Sequence, residues 1–426
     1  MRIDADLLQE HLSYLVRRCG VRLAGSCMER RAADYIGNRM LSYGGLTTTE
    51  QFPMLERRVQ ALDLAIRIQN RWVKFPGSLL SSTPGTGGRV VQAPIVVFEA
   101  PAEYRSKSLA HLRGKAVIHL GTHIESRADY RRLIAAKPAF ILIVDIRFPG
   151  VTPLADGMFP AYTHLIGAVP TVNVAFADAW RWHVEGATAA RLMVRGGMEP
   201  SLSQNVIADF PGRDPGAGMI VLGGHHDTQA DSPGADDNGS GVAGILELAR
   251  VLGPLPRRRG LRFISFGAEE QLSVGAAAYV RRHRTALRRD AVLMFNLDSY
   301  GSWMGWSELY CNGPRNLARI AQPYFNRAGA PVKIMLEPSP YGDHFPFVAI
   351  GVPGMWLYRP NCAGGRFYHH RPDDDLTRVS PVLMARYLTA VGAFIHDLSN
   401  AKRLPYKRVL PPELRRAASR FWNDLY

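Results

Sequence analysis

The stretch LGGHHDTQADSPGADDNGSG (222–241) sets His225, His226 and four aspartates among glycine, proline and small polar residues. Acids recur after other apolar runs: Glu269 and Glu270 after LRFISFG (261–267), and Asp298 after AVLMFNL (291–297). A second histidine pair, His369 and His370, stands in FYHHRPDDDL (367–376). Imidazoles and carboxylates in such numbers transfer protons or hold a divalent cation. Carboxylates brought within a few ångströms raise one another's pKa, and a cation removes that penalty. A mixed set of imidazole and carboxylate donors selects zinc above magnesium or calcium. Taken singly, each group has a plainer reading as a strand cap, an Asp-Asp-Asn turn or the acidic start of a helix. Their coincidence at consecutive strand ends favours the metal.

The elements around them support that placement. From residue 204 the pattern repeats strand, loop and helix: QNVIADF and MIVLGG, a helix over 240–253, strand LRFISF, a helix over 273–285, and strand AVLMFNL. Strand GMWLY and a terminal helix over 380–398 follow. Strands apolar on both faces and alternating with helices predict a mostly parallel sheet covered on each side. Ligands bind such sheets beyond the carboxyl ends of the strands, so the clusters share one rim. Gly234, Gly239 and Gly241 let the loop fold tightly, and the helix after it buries Val242, Ile245, Leu246 and Ala249. Residues 1 to about 60 read as helical, with Ala33, Ile36 and Met40 at helical spacing. Between 65 and 200 the texture changes to short strands (LDLAIRIQ, APIVVFEA, KAVIHL, FILIVDI, TVNVAF) with one helix-like stretch, SRADYRRLIAAK, which predicts a small β-rich insert. The expected division is therefore 1–64 and 201–404 for the main domain, 65–200 for the insert and 405–426 for a proline-punctuated tail.

A chain of 426 residues, 46% hydrophobic and 21% charged, suits two or three globular domains. No apolar run has membrane-spanning length, and acids and arginines interrupt the apolar positions of the first twenty residues, unlike a signal peptide. Four cysteines at no zinc-finger spacing read as free thiols, and a cytoplasmic location is expected. The net charge of +15 comes mainly from scattered arginines such as RRRG (257–260). Without interleaved aromatics or a helix-turn-helix pattern they predict solvated helix faces, with neither nucleic acid nor membrane as partner.

The motifs G-G-H-x-D, P-G-A-D-D-N-G-S-G, A-E-E, N-L-D-S and H-x-P-x-D, in this order, closely resemble the co-catalytic dizinc aminopeptidases, zinc exopeptidases of the MH clan. The resemblance covers RLAGS (22–26) and about 204–400, and implies a three-layer αβα catalytic domain. The insert looks like a protease-associated domain, through its strand pattern and RGKAVIHL (113–120). Carried over, the resemblance implies two zinc ions per chain: His225 and Asp298 on one, Glu270 and His370 on the other, Asp237 bridging. It implies Glu269 as general base toward a metal-bridging water that attacks the N-terminal peptide bond of a peptide substrate. Asp227 would fix the ring of His225. Adjacent glutamates on an extended chain would point apart, freeing Glu269 from the metals. A cis peptide is implied at Asp237–Asn238.

His370 fits the last motif through Pro372 and Asp374, leaving His369 where relatives often carry an oxyanion-stabilising tyrosine. The oxyanion donor is thus open among His369, Tyr341 and Tyr368. GDHFPF (342–347) resembles a family segment near the metals, putting Asp343 and His344 beside them. Arg359 and Arg366 lie near the expected rim, where they could favour acidic substrates, but the plainer reading is exposed arginine. Three alternatives stand beside the aminopeptidase: a glutaminyl-peptide cyclotransferase with one zinc, a carboxypeptidase, and a receptor-like binding protein without the chemistry. The complete five-ligand set speaks against the first and the last.

Overall fold

Successive residues of the apolar strands enter two different cores. Ile220, Leu222, Leu261, Phe263, Leu293, Phe295 and Leu297 face one side, together with helices Ala5–Tyr14, Cys27–Ser42, Gly241–Leu252, Leu317–Arg327 and Pro381–Asn400. Val221, Ile264, Phe266 and Met294 face the other, against Val274–Asp290 and Phe345–Ala349. A period of two with both faces apolar is what a sheet enclosed by two helical layers requires. The arrangement is a three-layer αβα sandwich.

The computed structural model describes residues 2–124 and 126–426. Its chain forms two units, one of Met1–Met54, Leu202–Tyr368 and Pro372–Asn423, the other of Leu55–Ser201, His369–Arg371 and Asp424–Tyr426. In the first, the strand order is Lys333–Met335, Glu308–Asn312, Gly354–Tyr358, Ala291–Leu297, Met219–His225, Gly260–Phe266 and the last residues of Ala189–Phe210. The middle four are mutually parallel, and antiparallel neighbours flank them on each side. Side-chain caps start several helices: Asp4 accepts from Asp6 and Leu7, Ser26 from Glu29, and Ser380 from Leu383, with Pro381 opening the last.

The expected helical start ends early. Leu46–Ile68 is one long strand, in which Phe52 and Met54 are buried while Gln51 and Pro53 are exposed. The β-branched run Thr47–Thr49 and this alternation favour extended backbone over the helix expected to about residue 60. In the second unit, Val91–Glu99, Ala116–Gly121, Phe140–Asp145 and Thr171–Asn173 form a parallel set, with Ser78–Leu79 antiparallel at its end. Its helical content exceeds the single stretch expected. Arg127–Ala135 is joined by Pro160–Ile166 and Phe176–Val184, the latter replacing the end of TVNVAF after three residues of strand. Among the described residues, no helix is long and apolar enough to cross a membrane.

Candidate metal centre

The three central strand ends stop at one level because their register is nearly flush. Phe266 pairs with His225, and Asn296 pairs with Gly223, which brings Asp298 two residues later to the same rim. His225 is buried, with Nε2 lying 3.2 Å from Asp237 Oδ1, 3.6 Å from Asp298 Oδ1 and 3.8 Å from Glu269 Oε2. His225, Asp237 and Glu270 each offer a ligand atom, all within 4.8 Å of one another. On the opposite ring edge, Nδ1 lies 3.2 Å from the carbonyl of Asp227. A carbonyl only accepts, so Nδ1 carries a proton and Nε2 is the edge turned to the carboxylates, where a cation would replace a second proton. That nitrogen makes no well-angled hydrogen bond of its own. A buried lone pair ringed by carboxylate oxygens fits a divalent cation, and the donor types are those of zinc.

Asp227 does more than face His225. Its carboxylate accepts the backbone N–H of Glu269 at 3.0 Å and of Glu270 at 3.2 Å. Those residues lie in the 3-10 turn Glu269–Gln271, flanked by Ala268, Leu272 and Ser273 at positive φ. The extended backbone expected for the glutamate pair is therefore replaced by a turn, clamped from beneath by one carboxylate. Ser273 Oγ donates to Glu269 Oε1 at 3.0 Å, and the N–H of Gln229 donates to Glu270 Oε1 at 3.2 Å. Separate donors thus hold the two side chains.

The Asp237–Asn238 peptide is cis. Asn238 ties the loop to the sheet, donating to the Leu297 carbonyl at 2.9 Å and accepting the Gly241 N–H at 2.7 Å. Gly234 sits at φ 58°, where a Cβ would come within 2.2 Å of the Asp237 carbonyl oxygen. From the other side, Asp374 accepts the N–H of Asp236 at 2.8 Å and of Asp237 at 2.9 Å. Asp236 accepts the N–H of Gly301 at 2.7 Å and the hydroxyl of Tyr368 at 3.1 Å. Arg22, wholly buried, donates to the carbonyls of His226, Pro233 and Gly234 at 2.7–2.9 Å and so braces the loop.

Burial alone would lower the His225 pKa, but Asp298, Glu269, Asp227 and Asp237 outweigh it and hold it well above the ordinary value. Burial raises Glu269 well above the usual carboxylate range; His225 counters this, while Asp343, Asp298 and Glu270 add to it. Burial likewise pushes Asp374 up to about 8, with Asp236 adding to the effect.

The remaining candidates divide. Asp343 and His344 are fully buried, and Asp343 lies in the field of His225 and Asp298, so the segment is part of the site's surroundings rather than a surface turn. His344 Nε2 meets Asn312 Oδ1 at 3.2 Å. Tyr368 is buried with its hydroxyl committed to Asp236, which removes it from the candidate oxyanion donors. Tyr341 is 40% exposed. His369 and His370 belong to the second unit, where their rings stack at 3.5 Å, His369 stacks on Phe148, and His370 Nδ1 lies 3.9 Å from Asp156. Neither arginine expected at the surface is exposed. Arg359 donates to Ser302 and Ser307, and Arg366 to Asp237. Sequence reasoning missed Asp236, Asp374 and Arg22 as supports. For Asp374 the signal was present, since it closes the H-x-P-x-D motif.

Fold and donor set together define a metallopeptidase. Residues 205–395 match the model of peptidase family M28. Aminopeptidase YwaD of Bacillus subtilis (strain 168) is 25% identical over 97% of this chain and 89% of its own length. Carboxypeptidase Q of Xenopus laevis is 24% identical over 86% and 84%. The structure of BSAP, a zinc aminopeptidase from Bacillus subtilis, shares the fold with a TM-score of 0.76, 21% identity and coverage of 97% of this chain and 99% of that one.

Proposed function

We propose that this protein is a zinc-dependent aminopeptidase that removes N-terminal residues from peptides. The observation that carries the reading is the convergence of Asp237, Asp298 and Glu269 on the lone-pair edge of His225. On this reading two zinc ions are held, one by His225 and Asp298, the other by Glu270 and His370, with Asp237 shared. His370 is assigned by the H-x-P-x-D spacing. The bound metals would polarise the peptide carbonyl and acidify water.

Glu269, held by Ser273 and raised in pKa, takes the proton from the attacking water and passes it to the departing amine. Asp227 positions Glu269 and Glu270 through their backbone N–H groups. Residues 65–200 are proposed as a protease-associated-like insert between 1–64 and 201–404, with 405–426 as a tail. A cytoplasmic location belongs to the same reading, supported by four cysteines that form no disulfide.

The likeness to a carboxypeptidase Q keeps cleavage from the other end as the second reading. Arg359 and Arg366, both committed to internal partners, speak against their binding a substrate's terminal carboxylate. A peptide-library digest read by mass spectrometry tests this directly. Release of N-terminal residues, lost in Glu269→Gln, is expected; release of C-terminal residues, or full activity in the variant, sinks the assignment.

A further inference from the structure

The register of the sheet carries the metal rim sideways. His225, Asp298, Tyr358 and Glu308 stand at one level on four neighbouring strands. Asn296 pairs with Gly223 and Leu297 with Leu357, which sets Asp298 between His225 and Tyr358, and Tyr358 pairs with Glu308. All four share one face, because Leu222, Leu297, Leu357 and Leu309, each an odd number of residues away from them, enter the opposite core. One pleat inward, Tyr310 stacks on Trp356 at 4.9 Å, and Trp356 meets the Tyr358 ring at 4.8 Å. The row thus leads from two metal donors, along an aromatic floor, to a carboxylate about 10 Å from Asp298 by strand spacing.

That carboxylate is poorly neutralised. Glu308 is 7% exposed and accepts hydrogen bonds from Trp306 Nε1 at 3.0 Å and from the Tyr310 hydroxyl at 3.4 Å. Among the described residues its ion-pair partner is Lys333 at 3.7 Å, a side chain 64% exposed on the adjoining edge strand. So solvated a pair is weak and readily exchanged. Arg366, whose guanidinium lies 5.3 Å from the Tyr358 ring, is committed to Asp237 instead. Trp306 is itself 45% exposed, which leaves an indole open beside the acid. Aromatic faces ending in a carboxylate fit a side chain with an apolar stem and a cationic tip.

We propose that this row receives the substrate's N-terminal side chain and that Glu308 selects lysine and arginine there. The inference rests on the aminopeptidase reading above and deepens it by naming the substrate class. The stem lies along Tyr358, and the ammonium or guanidinium takes the place of Lys333 at Glu308. A short side chain such as that of alanine or serine does not span the row. Glu308 meets the tip of the side chain and no reacting atom, so it sets specificity and does not carry the chemistry.

The test compares lysyl and norleucyl nitroanilides, which share an n-butyl stem and differ in the terminal ammonium. The zinc-loaded full chain should favour the lysyl substrate in kcat/KM by about tenfold or more, and Glu308→Gln should remove most of that ratio. Lys333→Ala, which takes away the competing cation, should raise the ratio by about two- to fivefold. It decides the matter if the glutamine variant does not fold. Binding gives a readout without turnover. Calorimetry on Glu269→Gln should find lysinamide held about tenfold more tightly than norleucinamide, an advantage lost when Glu308→Gln is added. Equal or reversed preference in the wild type, or a ratio that either substitution leaves unchanged, would overturn the proposal, the latter reducing Glu308 and Lys333 to a structural pair. The outcomes also separate the proposal from its premise. Release of N-terminal residues with no preference for basic ones removes only this inference. Absence of N-terminal release from any peptide removes the aminopeptidase reading and this inference with it.

Discussion

Asp236 and Asp237 are neighbours in one loop, yet they belong to two differently balanced sets of buried acids. Asp236 and Asp374 are served from within: Gly301 N–H and the Tyr368 hydroxyl donate to the first, and the N–H groups of Asp236 and Asp237 to the second. Asp237 Oδ1, Asp298 and Glu269 instead crowd the lone-pair edge of a single imidazole. Ser299 Oγ and Ser273 Oγ are the hydrogen-bond donors to the last two. Buried carboxylates are tolerated when hydrogen bonds or opposite charge compensate them. The first set is compensated by backbone and hydroxyl groups, with the Arg366 guanidinium beside Asp236, and is a structural support. The second has the composition of a cation site, and on the proposed reading the difference separates acids that build the loop from acids that do chemistry.

The largest effect should come from removing what balances the second set. Exhaustive chelation is expected to abolish peptide hydrolysis, and added zinc to restore it. Chelation should also lower the melting temperature, since a ligand present at a hundred times its Kd stabilises by about 2.7 kcal/mol. Activity undiminished by chelation would erase the distinction between the two sets. Next comes Glu269→Gln, which should lower kcat by about 10²–10⁴ while leaving zinc stoichiometry unchanged. Loss of a zinc together with activity would move Glu269 from base to ligand.

A paired substitution sharpens the contrast because its two halves should move stability in opposite directions. Asp374→Ala strips the acceptors from two buried N–H groups and should destabilise the metal-free protein by about 2–4 kcal/mol. Asp298→Asn removes one of the mutually repelling charges around His225. The metal-free protein should melt at the same temperature or higher, while zinc affinity falls by about tenfold or more. Urea melts of the stripped proteins and zinc titrations read both. Equal destabilisation by the two substitutions would mean that both carboxylates serve the fold alike.

These two sets were unequally visible in the sequence. The acids at the strand ends stand beside apolar runs of clear period, so His225, Glu269, Glu270 and Asp298 could be placed on one rim before any coordinates. The internal supports depend on partners far away in the chain. Asp374 meets Asp236 across 138 residues, and Arg22 meets the His226 carbonyl across 204. Nothing local distinguishes such groups from surface polar residues, and Arg366 and Arg359 were misread for that reason. The same limit applies to the fold. The helices and strands of the αβα unit follow from periodicity, whereas Phe176–Val184 spans only 9 residues and begins inside TVNVAF, whose alternating start reads as strand. Only the end of Leu46–Ile68, within LDLAIRIQ, read as strand; the polar start LTTTEQ and the charged stretch Glu56–Arg58 obscured the alternation around Phe52 and Met54.

The last expected effect, on stability and not on activity, concerns Glu29, a buried acid that tests whether internal donors suffice to keep a carboxylate ionised. It accepts the Gly25 N–H at 2.7 Å and the Ser203 hydroxyl at 2.5 Å, and His226 Nε2 lies 3.9 Å away. Burial raises its pKa from 4.5 to about 8, with Asp227 adding to the rise and the hydrogen bonds opposing it. The folded protein therefore binds a proton at Glu29 that the unfolded chain has already released between about pH 4.5 and 8. Stability from this group is fully present below that window and declines as pH rises through it, by up to about 1.4 kcal/mol per unit. Glu29→Gln keeps the shape without the ionisation. Its unfolding free energy, measured by urea between pH 5 and 8, should lose that part of the slope, with the curves converging at the acid end. Parallel curves would show that two hydrogen bonds hold Glu29 ionised despite its burial.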